Sequence, residues 1–263
     1  MKKKLYFGSN LKMYKNISQT VEYLQELDTY TKELRRRFQN IELFILPSFT
    51  SLESAVRSVG KDAIRLGAQN MCWEDCGKYT GEISPPMLKE LGITLVMAGH
   101  SERRHIFGES SREENKKVRA ALEHDFTALL CVGETEEEKK YGIGEEVLRS
   151  QLKVGLYGIP SGKVSKIWIA YEPVWSIGEE GVPASPAYAE KMHRVIKNTL
   201  EELFPLQGEN VPVFYGGSVN ASNAGELIRQ PSVDGLFVGR AAWEAKKFAE
   251  LIEYAAENIQ NPL

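Results

Sequence analysis

Residues 167–186 read IWIAYEPVWSIGEEGVPASP. The apolar run Ile167-Trp168-Ile169-Ala170 ends on a single carboxylate, Glu172, which is followed at once by Pro173-Val174-Trp175, by glycines and by two further prolines. A solid apolar run, instead of one that alternates with polar residues, marks a strand buried on both faces, as in a parallel sheet. At the far end, Ser185-Pro186 has the form of an N-cap and first-turn pair, so a helix begins there. The stretch is therefore a strand, a heavily punctuated connection and a helix: one βα unit.

The same unit repeats along the chain. Further β-rich runs stand at KLYFGSN (4–10), IELFILP (41–47), IRLGAQN (64–70), LVMAGH (95–100), FTALLCVGE (126–134), VPVFYGG (211–217) and GLFVGR (235–240). Helical spacing separates them. Val21, Leu24, Leu27, Tyr30, Leu34 and Phe38 recur at three- and four-residue steps in the first helix, and Phe248, Leu251, Ile252 and Ala255 do so in the last. Eight βα units in 263 residues imply a (β/α)8 TIM barrel, residues 1–263 forming one domain. A doubly wound open sheet is the competitor. The regularity of the units, and the lack of G-x-G-x-x-G after the first strand, count against it.

Composition narrows the function classes. A formal net charge of -3 gives no basis for nucleic acid or an anionic membrane as partner. The apolar residues after the basic start, Leu5-Tyr6-Phe7, are too few for a signal core or a membrane span. The 3 cysteines form no even-numbered framework, and Cys72 and Cys76 have no second ligand pair, so no metal site is expected. A reducing cytoplasm fits this usage.

In a barrel of this kind active sites lie at the C-terminal ends of the strands. Here those ends carry Asn10 and Lys12 after the first strand, Gln69 after the third, His100 after the fourth and Glu172 after the sixth. Gly216-Gly217-Ser218 and Gly239 follow the seventh and eighth. Taken singly, each has a plain structural reading: a solvated lysine, a satisfied core histidine, a tight glycine turn, a helix-capping acid. Together at one rim they suit proton transfer beside a carbonyl on a phosphorylated substrate. Glu172 would remove a carbon-bound proton, a neutral His100 would polarise the carbonyl, and Lys12 would stabilise developing negative charge. Backbone N–H groups of the glycine turns would hold the phosphate. This chemistry requires no cofactor and no metal.

The segments AGHSERR (98–104), CVGET (131–135), AYEPVWSIG (170–178), YGGSV (215–219) and VDGLFVG (233–239) resemble the signature segments of the triosephosphate isomerase family, in the family's order and over nearly the whole chain. The resemblance implies interconversion of D-glyceraldehyde 3-phosphate and dihydroxyacetone phosphate through an enediol(ate). It assigns Glu172 as base and His100 as electrophile, a pairing that this family itself exemplifies. It places Asn10 and Lys12 against substrate, with Leu11 where tryptophan is common, and puts Glu102 behind the site in support. Residues 173–184 become a lid, with Gly178 donating its N–H to phosphate, and Ser218, Gly239 and Arg240 complete the cradle. Lid closure, for which this family is a standard case, keeps water from the reactive intermediate.

Two departures bear on the substrate. The lid's usual Gly-Thr-Gly-Lys run is replaced by the longer, more acidic GEEGVPAS (178–185), and the second glycine of the last phosphate turn is replaced by Arg240. Both leave open a paralogous isomerase of a four-carbon keto-phosphate such as erythrulose phosphate. A non-catalytic sugar-phosphate-binding protein and another phosphate-binding barrel are the readings from other classes. The connection after the third strand runs from Gln69 to Glu82 and carries Met71, Cys72, Trp73 and Tyr79. Exposed apolar residues on a long loop point to an interface. The resemblance implies a homodimer in which this loop enters the neighbour, with Thr80 approaching the neighbour's site.

Overall fold

A computed structural model of the chain describes residues 3–60, 63–178 and 181–260. The eight apolar runs become eight parallel strands: β1 (Leu5–Asn10), β2 (Ile41–Leu46), β3 (Arg65–Ala68), β4 (Leu95–Ala98), β5 (Thr127–Val132), β6 (Ile167–Tyr171), β7 (Val213–Tyr215) and β8 (Gly235–Phe237). They pair in chain order and close, Tyr6 of β1 lying opposite Gly235 of β8, so the sheet is a barrel and not an open sheet. Both faces of each strand are covered, which is why the runs do not alternate. Outward residues such as Leu43, Ile45, Ile167 and Ile169 join the cluster packed beneath the helices. Inward residues, among them Tyr6, Phe44, Leu129, Trp168, Phe214 and Phe237, fill the barrel. Phe44 lies at the centre of this filling, its ring centroid 5.4 Å from Trp168 and 5.6 Å from Phe214.

The helices are α1 (Ile17–Arg37), α2 (Leu52–Ser58), α3 (Pro85–Glu90), α4 (Ser101–His105), α5 (Ser111–Glu123), α6 (Glu136–Lys140), α7 (Gly144–Gly155), α8 (Pro186–Leu203), α9 (Ala224–Ile228) and α10 (Ala245–Gln260). β4 and β5 are each followed by two helices, where one per strand was expected. The expected cap holds: Ser185 accepts from the Tyr188 N–H at 3.2 Å, with Pro186 opening α8. The α1 face needs correction. Tyr30 is exposed, and the buried stripe runs Thr20, Tyr23, Leu24, Leu27, Thr31, Leu34. From Leu27 both the three- and the four-residue step stay near the core side, and the helix buries Thr31, whose hydroxyl returns to Leu27 O at 2.7 Å. The loop after β3 is corrected too. Met71 and Cys72 are buried in their own barrel, leaving Tyr79 as the exposed large apolar residue there.

α5 buries a carboxyl, Glu114, beside Glu109 of the preceding turn. Glu109 Oε1 accepts from Arg103 Nε at 2.7 Å and lies 2.6 Å from Lys117 Nζ; burial works against its ionised form, but these cations hold its pKa low. Glu114 is fully buried, and neither of its oxygens has a hydrogen-bond donor. Burial lifts its pKa from 4.5 to about 7, with the neighbouring Glu109 charge adding to the effect. Glu109 Oε2 is also without a donor, and a protonated Glu114 can donate its O–H to it. The folded chain thus holds a proton that the unfolded chain gives up more readily. Stability should fall as pH rises from about 4.5 to about 7. Glu114→Leu should flatten that slope and raise the melting temperature above pH 7. An unchanged slope in a pH series of melting curves would show that Glu114 titrates normally.

Candidate active site

Strand period places the acid. Trp168 and Ala170 of β6 point into the barrel, so the next inward position, two residues on, is Glu172 at the mouth. Its N–H donates to Val132 O at 2.8 Å, and its side chain is almost wholly buried. The approach leaves no room for a Cβ at two neighbours: one built on Gly133 would lie 1.9 Å from Glu172 O, and one on Gly216 would lie 2.9 Å from Glu172 Cγ. β1 does the same for Asn10, two steps beyond Gly8.

His100 caps α4. Its Nδ1 accepts the Glu102 N–H at 3.2 Å, which puts the proton of a neutral ring on Nε2, and Nε2 faces Glu172 Oε1 at 3.4 Å. Glu102 Oε2 also lies 3.5 Å from Nδ1; the backbone N–H makes the shorter contact and assigns the tautomer. The second Glu172 oxygen accepts from the Ser101 N–H at 3.4 Å. Both carboxylate contacts are long, so each oxygen can turn to a substrate. Cys131 lies beneath this acid; burial pushes its thiol pKa well up, and the Glu172 charge adds to that.

Lys12 adopts φ 50, a left-handed conformation uncommon outside glycine. Three contacts hold it there. Its N–H donates to Asn10 Oδ1 at 2.8 Å, its carbonyl accepts from Gln69 Nε2 at 2.7 Å, and its ammonium donates to Glu102 Oε1 at 2.6 Å. Gln69 and Glu102 therefore act through Lys12. Trp243 Nε1 donates to Asn10 O at 3.2 Å and its ring packs on Tyr14.

Asn10, Lys12, His100, Glu172, Gly178, Ser218, Gly239 and Arg240 all line one cavity of about 470 Å³. Ser218 does more than line it: its N–H donates to Ser176 Oγ at 3.1 Å and its hydroxyl to Ser176 O at 2.7 Å, which ties the loop after β7 to the β6–α8 connection. A Cβ on Gly217 would lie 2.3 Å from the Tyr215 hydroxyl, so this turn must be glycine for the connection to pack down. Within that connection Glu179 and Glu180 lie outside the described residues. Among the described residues no group of three or more His, Cys, Asp or Glu side chains could hold a metal ion, and no helix is long and apolar enough to cross a membrane.

One buried carboxylate beside the site was not singled out from the sequence. Glu134, fully buried after β5, accepts from Trp175 Nε1 at 2.8 Å, from the Tyr188 hydroxyl at 3.0 Å and from the Tyr171 hydroxyl at 3.0 Å. Its carbonyl takes the Val174 N–H at 2.9 Å, and the Lys139 ammonium stands 3.1 Å from the centroid of the Trp175 ring. The Pro173-Val174-Trp175 turn is thus fastened at its root.

The family model described as "Triosephosphate isomerase" matches residues 5–255. This chain belongs to the triosephosphate isomerase family. Among curated family members it is 42% identical over 255 residues to an L-erythrulose-1-phosphate isomerase of Mesorhizobium japonicum, covering 97% of this chain and 98% of that one. It is 41% identical over 253 residues to a triosephosphate isomerase of Dictyoglomus turgidum, covering 96% and 99%. The crystal structure of the triosephosphate isomerase from Bartonella henselae superposes with a TM-score of 0.85 at 33% identity, covering 96% of this chain and 99% of that chain.

Proposed function

We propose that the chain is an isomerase of phosphorylated sugars that interconverts D-glyceraldehyde 3-phosphate and dihydroxyacetone phosphate by proton transfer through an enediol(ate). The observation that carries the reading is the Glu172–His100 pair, 3.4 Å apart in the cavity that also takes in Lys12 and the turns after β7 and β8. Glu172 takes the proton from the carbon beside the carbonyl and returns it to the adjacent carbon. His100 donates its Nε2 proton to the carbonyl oxygen and exchanges protons between the two oxygens. Lys12 faces the developing oxyanion, and the groups of Gly178, Ser218, Gly239 and Arg240 receive the phosphate. Family membership supports an enzyme over a sugar-phosphate sensor, which has no use for an acid and a histidine paired in this way.

A second substrate reading rests on the relatives: identity is 42% to the L-erythrulose-1-phosphate isomerase and 41% to the triosephosphate isomerase. A coupled assay on both substrates decides between them. Triose specificity predicts a kcat/KM for D-glyceraldehyde 3-phosphate near about 10⁸ M⁻¹s⁻¹, a ceiling this family itself helps to define, and a value for L-erythrulose 1-phosphate lower by orders of magnitude. The reverse ratio would transfer the assignment to the four-carbon substrate.

The homodimer belongs to this proposal as well. Met13, Tyr79, Ile106 and Phe107 are exposed apolar residues on the loops after β1, β3 and β4, all at the active-site rim. Sedimentation at assay concentration should give a dimer; a fully active monomer would overturn this. A cytoplasmic setting is part of the same reading.

A further inference from the structure

The guanidinium of Arg240 lies across the cavity mouth. Arg240 follows Gly239 in the connection from β8 to α10, and its Nη2 donates to Gly178 O, 2.9 Å away in the β6–α8 loop. Gly178 sits at φ 94, a backbone conformation that turns its carbonyl where an ordinary residue would be strained. Both residues line the cavity, together with Ser218 and Gly239. A guanidinium has five N–H donors, and this contact uses one. We propose that Arg240 latches the β6–α8 loop and couples the latch to the substrate's anion: one arm of the fork holds Gly178 O while another meets a phosphate ester bound against Ser218 and Gly239.

Charge and geometry favour this over a free surface arginine. The loop is already held to the β7 side by the two Ser218–Ser176 hydrogen bonds, so Arg240 supplies the corresponding stitch on the β8 side. A planar fork suits a carbonyl on one edge and an anion on the other, whereas a lysine ammonium acts as a point charge. The anion strengthens the latch and the latch strengthens anion binding, because coupling between two sites is reciprocal. The inference rests on the cavity receiving a phosphate ester, whichever sugar carries it.

The test uses the full-length wild type with Arg240→Gly and Arg240→Lys, and inorganic phosphate as the probe. Hydrogen exchange of the β6–α8 loop is followed with and without phosphate, alongside kcat and KM for D-glyceraldehyde 3-phosphate and L-erythrulose 1-phosphate. In the wild type, phosphate should slow exchange in this loop. Arg240→Gly should lose that protection and raise KM by about 10- to 100-fold, the effect of one hydrogen bond to a charged group, with a smaller change in kcat. Arg240→Lys should recover part of both. An Arg240→Gly variant with wild-type KM and wild-type protection overturns the latch. So does a wild type that turns over substrate without phosphate-dependent protection, and that result leaves the isomerase reading standing. A wild type with neither turnover on either substrate nor protection removes the isomerase reading and the latch together.

Discussion

Glu172→Gln should fold, bind inorganic phosphate and lose turnover by about 10²–10⁴-fold, the range a positioned general base contributes. Glutamine has the shape of the acid it replaces, so the packing against Gly133 and Gly216 survives, and its amide oxygen can still accept the Ser101 N–H. What disappears is the carboxylate proposed to take a proton from carbon. Glu172→Asp retains the carboxylate but draws it back by one methylene, on the order of the 1 Å displacement that costs about 10² in rate. The glutamine variant should therefore be at least as impaired as the aspartate one. Turnover within threefold of wild type in Glu172→Gln, with the melting temperature unchanged, would remove Glu172 from the chemistry.

Gly133→Ala should be nearly as damaging without altering any group that touches substrate. The added Cβ would lie 1.9 Å from Glu172 O, well inside contact distance, and what it meets is backbone, not the end of a side chain. Gly133 cannot easily retreat: its N–H donates to Gln151 Oε1 at 2.8 Å and its carbonyl accepts from Gln151 Nε2 at 3.0 Å. The overlap is therefore relieved mostly by moving the Glu172 backbone by an ångström or more. The expected results are a fall in kcat of about 10²-fold and a loss of about 1–3 kcal/mol in stability from overpacking. Thermal melts and a coupled assay read the two effects separately. Full activity in a less stable Gly133→Ala would mean that the base tolerates displacement, which the Glu172→Asp comparison would then confirm or refute.

The parts of this molecule that are periodic were legible in its sequence. Strands buried on both faces read as solid apolar runs, and their inward positions lead two residues at a time to Asn10 and Glu172. The same rule misses Glu134: in β5 Leu129 and Cys131 point inward and lead to Gly133, whereas Glu134 follows the outward parity of Leu130 and Val132. Contacts made across loops were not legible. That Ser176 meets Ser218, or that Arg240 reaches Gly178, depends on how two connections distant in the chain fold over one mouth. Tyr30 illustrates a finer limit: apolar spacing fixes a helix and its approximate face, but whether Tyr30 or Thr31 turns inward depends on packing that no local pattern records. Met71 and Cys72 show that apolar residues on a long loop do not declare which surface they cover.

The placement of Glu172 has a consequence for how such an enzyme can change over time. The acid belongs to the framework of β6, held from below by Gly133 and Gly216, while the pieces that would judge the size and shape of a substrate belong to the loops above it. Lengthening the β6–α8 loop or exchanging the residue after Gly239 leaves the strand register, and so the position of the acid, untouched. A lineage built this way can try new sugars without risking its proton chemistry. Family members bearing two different substrate names can then stand at nearly the same identity to this chain, 42% and 41%.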